Sequence, residues 1–163
     1  MKRSVVILGL AAILAGCGHN SGDTDNTPAT LSDALNNHVF ELKEVDGKPA
    51  TAREVGAPSL SFIRDTDTTS LRIAGQMCNN FMGKATLQGQ ILKAPMLAMT
   101  RRLCADDQLN DLDHALGKVL EGGATVDYSR GKLTLKGSDR TLVYYLKVGS
   151  VAEQKNAASD GHH

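Results

Sequence analysis

The chain has 163 residues, and its 18 lysines and arginines are matched by 18 aspartates and glutamates. That balance gives no case for nucleic-acid binding, which wants a clearly basic face. With no tryptophan and 4% aromatic residues there is also no base-stacking platform.

Residues 1–16 begin with Lys2 and Arg3, continue through an apolar run from Val5 to Leu14, and end on small residues. This is the pattern of an export signal. The run is about ten residues, short of the ~20 needed to span a bilayer. Leu14-Ala-Gly-Cys17 resembles the lipobox of bacterial lipoproteins. That resemblance implies cleavage before Cys17, a diacylglyceryl group on its sulfur and an acyl chain on its new amino group. At ~0.8 kcal/mol per buried CH₂, several chains hold durably where one does not. Gly18 in place of aspartate implies transfer to the outer membrane, facing the periplasm. The expected address is thus the cell envelope, with the membrane contacted through the lipid anchor at Cys17.

Removing residues 1–16 from 163 leaves 147, and the loss of Lys2 and Arg3 leaves 16 basic against 18 acidic residues, a charge of −2. Residues 17–30 are small and polar and read as a flexible tether. A second polar stretch, residues 149–163, reads as a disordered tail ending in His162 and His163; two adjacent histidines alone make a poor metal site. The folded domain is expected over residues 31–148.

Residues 31–37 predict one helical turn capped by Thr30 or Ser32. Residues 38–45 alternate, with Phe40 and Leu42 on one side, and predict a strand that ends at the Asp46-Gly47 turn. Strands follow at 59–63 and 69–74. Residues 84–87 and 91–94 form a hairpin through Gln88-Gly89-Gln90, and 96–100 extend the pattern. The period then changes: Asp106 caps a helix whose Leu109, Leu112, Leu116, Val119 and Leu120 share one stripe, ended by Gly122-Gly123. His114 lies off the stripe and is expected at the surface. Asp107, Asp111 and Asp113 lack the glycine and terminal glutamate of a calcium loop and read as a solvated helix face. Strands at 125–129, 132–136 and 141–147 close the domain. The last is apolar on both faces, which places it inside the sheet.

The expected fold is α+β: a curled, barrel-like antiparallel β-sheet packed with one main α-helix. Such a sheet has room in principle for a small apolar ligand, an alternative to a protein-binding role. Phe62, Leu71, Ile73, Leu87 and the helix stripe are enough to fill it.

Cys78 and Cys104 make an even pair in an exported chain, which favours a disulfide. Closing a loop of about 27 residues contributes roughly 3.5 kcal/mol by chain entropy. A Cys78 nucleophile with His114 as base lacks a third member. A zinc site from the thiols lacks compact ligand spacing. No catalytic residue, cofactor or metal ligand is expected.

Three blocks resemble a known family. AGQMCNNFMG (residues 74–83) is similar to the G-x-x-C-N-x-[FY]-x-G signature of the META (HslJ-like) domain family. LAMTRRLC (residues 97–104) is similar to that family's second block, M-x-x-T-x-x-x-C, and VDGKP (residues 45–49) to its first turn. The resemblance covers about residues 35–147. It implies a non-enzymatic envelope protein with a role in stress response (heat, antibiotic tolerance) or in binding a protein partner of the envelope; a monomer is expected. It carries no catalytic residue and no cofactor. Phe40 stands where the family usually has tryptophan. The glycines, asparagines and threonine of the blocks read first as backbone geometry: Gly75 and Gly83 for close approach, Asn79, Asn80 and Thr100 for turns. The alternative is that Asn79, Asn80, Thr100 and Arg101 line a ligand site beside the disulfide.

Overall fold

The structure is a computed structural model and describes residues 30–51, 54–65 and 70–151. Cys17, the tether, and His162 and His163 lie outside the described residues.

A short helix α1 (Leu31–Leu35) opens the domain, with Thr30 Oγ1 accepting from the Asp33 amide at 3.2 Å. Strands β1 (His38–Val45), β2 (Lys48–Pro49), β3 (Ser59–Arg64), β4 (Ser70–Gln76), β5 (Asn80–Gln88), β6 (Ile91–Lys93) and β7 (Leu97–Met99) follow. The main helix α2 (Asp107–Gly122) comes next, then β8 (Ala124–Ser129), β9 (Lys132–Lys136) and β10 (Thr141–Val151). Every strand pairing is antiparallel, in the order β1-β3-β4-β5-β6-β8-β9-β10, and β10 returns to β1. The curled sheet therefore closes into an eight-stranded barrel, whose circuit has no first or last strand. Among the described residues two strands lie off this circuit: β2 folds back on β1, and β7 pairs only with one end of β5.

Two tight turns follow from sequence. Asp46 (φ 51°) with Gly47 (φ 80°), and Arg130 (φ 52°) with Gly131 (φ 79°), take the left-handed conformations that join twisted strands through two residues. The last strand runs to Val151, beyond the expected residue 147. Its register against β1 shifts between the Phe40–Leu146 and His38–Val151 pairs, and Gly149 (φ 82°) lies in the interruption. That break in the alternation hides the strand's continuation from a sequence reading.

Alternate residues fill the barrel: Phe40 and Leu42 from β1, Leu60 and Phe62 from β3, Leu71 and Ile73 from β4, Leu133 and Leu135 from β9, Leu142 and Tyr144 from β10, none more than 1% exposed. Leu112, Leu116, Val119 and Leu120 of α2 join the same cluster. Leu87, expected inside, is only partly buried and packs against the cluster's margin. Phe40 meets Phe62 and Tyr128 edge-on, with ring centroids 5.9 and 5.7 Å apart. A phenyl ring thus supplies the geometry that aromatic pairs prefer, without an indole N–H to satisfy.

The helix is set by its caps. Asp106 Oδ1 accepts from the Gln108 amide at 2.9 Å, and Gly123 (φ 96°) ends it. Arg140, in the β9–β10 turn, ties it to the barrel: Nη2 reaches Asp111 Oδ2 at 2.9 Å and Nε reaches Asp46 Oδ2 at 2.7 Å. His114 is exposed, as expected. The acidic face needs a correction. Asp107 and Asp111 are exposed, but Asp113 is 8% exposed and points into the protein.

Candidate functional site: the signature clamp and its groove

The two sequence blocks meet in space at one end of the barrel. Gly75 on β4 pairs with Phe81 on β5, and a Cβ at Gly75 would stand 2.1 Å from the Ser59 carbonyl oxygen and 2.5 Å from the Phe81 ring. A Cβ at Gly83 would stand 2.8 Å from the Met96 carbonyl oxygen. Both positions need glycine because backbone occupies the space a side chain would take.

Between β4 and β5 the chain turns through Met77, Cys78 and Asn79, with the Met77 amide donating to the Asn79 carbonyl at 3.0 Å. Cys78 and Cys104 are joined, their Cα atoms 5.9 Å apart and both residues 3% exposed. The bond fastens this corner to the strap of residues 100–104 that leads into α2.

Asn79 completes the fastening. Its Oδ1 accepts from the Arg102 amide at 2.8 Å and from the Thr100 hydroxyl at 3.1 Å. Its Nδ2 donates to the Arg102 carbonyl at 2.9 Å and to Asp113 Oδ2 at 2.7 Å. The Asn79 amide donates to Asp113 Oδ1 at 3.1 Å. One buried side chain therefore holds strap, corner and helix with every polar atom matched. Thr100 Oγ1 also accepts from the Asn80 amide at 3.0 Å, while the Thr100 amide donates to the Asn80 carbonyl at 3.0 Å. Past the strap, Asn110 Oδ1 accepts from the Cys104 amide at 3.0 Å and its Nδ2 donates to the Cys104 carbonyl at 2.8 Å.

The structural reading of Asn79 and Thr100 thus holds in detail. Asp113 and Asn110 were missed as partners. The only available signal was their offset from the apolar stripe, which surface residues share. Cys78 and His114 do not form a nucleophile and base, since the Cys78 sulfur lies in the disulfide.

The clamp leaves a groove on its outer side. It has a volume of about 560 Å³ and is lined by Asn79, Leu97 and Met99, the strap from Thr100 to Leu103, and Asn110, Asp113 and His114 of α2; Asn79, Thr100 and Arg101 of the alternative ligand site thus meet here. A smaller hollow of about 370 Å³ lies beyond the strap, against Glu54, Val55, Gln76 and Asn80, and shares Thr100 and Arg102 with the first. Arg101 is exposed beside the groove and Asn80 beside the smaller hollow, so both lie at the surface around a rigid floor.

Residues 33–149 match the META domain family. The chain belongs to the META domain family. Within it, the chain is 37% identical over 146 residues to heat shock protein HslJ of Escherichia coli (strain K12), across 90% of this chain and 96% of that protein. A protein solved by NMR is 40% identical with a TM-score of 0.63, over 71% of this chain and 93% of that one. A second NMR structure, of a protein from Burkholderia xenovorans, is 19% identical with a TM-score of 0.55, over 72% and 86% of the two chains, and shares the fold. The META signature of this chain is therefore its clamp: the glycines permit close strand approach, and the cysteines, asparagine and threonine fasten the strap.

Proposed function

We propose that this META protein is a non-enzymatic, lipid-anchored protein of the cell envelope, facing the periplasm from the outer membrane, that acts in stress response by binding a protein partner. Cys17 carries the anchor and residues 17–30 give the domain reach. The observation that carries the binding role is the clamp itself. The polar groups of Asn79 and Asp113 are satisfied by the fold, so the signature shapes a surface rather than presenting a reactive group. The similarity to a heat shock protein supports the stress role. Carriage of an apolar ligand is disfavoured, because side chains at most 1% exposed pack the barrel interior.

Two measurements test this reading. A clickable palmitate analogue should label the chain in living bacteria and should leave Cys17→Ser unlabelled; labelling that survives the substitution overturns the anchor. Deletion of the gene should sensitise cells to heat or antibiotics, with rescue by the wild-type chain. Unchanged survival across those challenges overturns the stress role.

A further inference from the structure

Strand β7 has β5 as its only strand partner among the described residues. On β5, β6 takes the other end of the same edge, through the pairs Thr86–Lys93 and Gln88–Ile91. The barrel circuit leaves β5 through β6 to β8, so no strand of the circuit covers the far side of β7. The register fixes what that side presents. The Thr100 amide donates to the Asn80 carbonyl and the Asn80 amide to Thr100 Oγ1, so the backbones of these two residues face each other, and the pairs Met99–Phe81 and Ala98–Met82 precede them. Opposed residues alternate between bonded and non-bonded pairs in an antiparallel ladder. The N–H and C=O groups of Leu97 and Met99 therefore point away from β5, toward the groove, while their side chains pack on the core.

Across the groove stands α2, not a strand. Of its lining residues, Asn110 is held by Cys104 and Asp113 by Asn79, so His114 is the side chain left to meet an occupant. The strap side carries Arg101 and Arg102, both exposed and in no ion pair among the described residues. Exposed apolar side chains stand on either side of the strand in sequence: Met96, directly before it, is 83% exposed, and Leu103, on the strap, 87%. Arg102 Nη2 donates only to the Cys104 sulfur, at 3.8 Å, among the described residues. An open strand edge beside cations without an ion pair and bare apolar side chains suits binding of a peptide by strand addition.

We propose that the open edge of β7 takes an extended acidic segment of a partner protein as an added strand, its backbone pairing with Leu97 and Met99 and its carboxylates meeting Arg101, Arg102 and His114. This rests on the binding role proposed above and names its partner's chemistry. Charge complementarity decides the occupant: Arg101 and Arg102 both line a groove whose one carboxylate among the described residues, Asp113, is turned onto Asn79. The groove's 560 Å³ is within the roughly 300–1,000 Å³ of ligand sites.

The test is an NMR titration of the ¹⁵N-labelled full chain in micelles with three synthetic probes: Ac-EVEVEV-NH₂, its Lys-for-Glu counterpart, and the acidic peptide N-methylated at alternate residues. The acidic peptide should move the amides of Leu97, Met99, Arg101 and His114. The lysine and N-methylated peptides should bind at least roughly tenfold more weakly, since one loses charge complementarity and the other loses backbone pairing. Arg101→Glu with Arg102→Glu should weaken the acidic peptide by a similar factor with the thermal midpoint unchanged. If that variant does not fold, His114→Glu gives the same comparison on α2. Absence of shifts at millimolar acidic peptide, equal binding of the N-methylated form, or shifts elsewhere on the barrel overturn the proposal. So do shifts of these residues produced only by phosphatidylglycerol vesicles or by raising the protein concentration, which would assign the groove to lipid or to a second copy. Peptide binding with unchanged stress survival would leave this proposal standing and remove the stress role; the converse result would remove this proposal alone.

Discussion

Asp113 Oδ2 accepts a hydrogen bond from Asn79 Nδ2 at 2.7 Å, with both residues more than nine-tenths buried. A carboxylate placed there is tolerable because the Asn79 amide also donates to it, at 3.1 Å. The two residues should behave as a unit. Asn79→Ala leaves the Arg102 backbone, the Thr100 hydroxyl and Asp113 short of partners and is expected to cost about 2–4 kcal/mol. Asp113→Ala should cost somewhat less. A double-mutant cycle by urea unfolding should return a coupling of about 1–3 kcal/mol. Additive losses would mean that the contact is not a cooperative part of the fold.

Glycine positions separate into required and replaceable ones. At Gly75 a Cβ would meet backbone at 2.1 Å, whereas at Gly117, inside α2, nothing lies within 4 Å. Gly75→Ala is expected to destabilise by about 1–3 kcal/mol through forced separation of β3, β4 and Phe81. Gly117→Ala should stabilise by about 0.5–1 kcal/mol, because alanine loses less backbone entropy on entering a helix. Thermal midpoints of the two variants should move in opposite directions from the parent. A Gly75→Ala protein as stable as the parent would contradict the close approach.

The disulfide spans a sequence separation of 26 and fastens the strap that Asn79 also holds. Reduction, or joint replacement of Cys78 and Cys104 by serine, is expected to lower stability by roughly 3.5 kcal/mol. Amide exchange of Arg102 and Leu103 should accelerate more than that of the barrel strands, since the strap is then held by hydrogen bonds alone, from Asn79, Asn80 and Asn110. Coincident urea midpoints for oxidised and reduced protein would show that the crosslink does not constrain the unfolded chain.

Much of this arrangement is legible in the residues, and the illegible part has physical causes. Alternation in Phe40, Leu42, Phe62, Leu71 and Ile73 points to core-facing strands, and the 3.6-residue stripe marks α2. The cysteine count supports the Cys78–Cys104 bond. Closure of the barrel is not encoded locally: it depends on β10 reaching β1, a pairing of residues about a hundred positions apart. The helical pattern alone marks Asp113 as solvated, because its partner, Asn79, lies 34 residues away. A buried carboxylate and an exposed one occupy the same place in a helical pattern. The groove is hidden for the same reason, being formed where β7 stops pairing and α2 takes over.

Tyr144 offers a pH-dependent test of the core. Its ring is fully buried on β10, and its hydroxyl has no hydrogen-bond partner among the described residues. Burial pushes the phenol's pKa above its ordinary 10.0. An unmatched buried hydroxyl costs about 1–3 kcal/mol, so Tyr144→Phe is expected to stabilise the protein by about 1 kcal/mol near neutral pH. The sign of the pH effect follows from the raised folded-state value. Below the unfolded-state pKa both states hold the proton and pH has no effect. As pH rises through about 10 the unfolded chain ionises while the folded core cannot, and stability is lost. The phenylalanine variant lacks that loss, and Tyr128 and Tyr145 are common to both proteins. Its advantage in urea unfolding should therefore be larger at about pH 10.5 than at about pH 8. An advantage that shrinks with pH, or a less stable Tyr144→Phe, would mean that the hydroxyl is matched within the barrel.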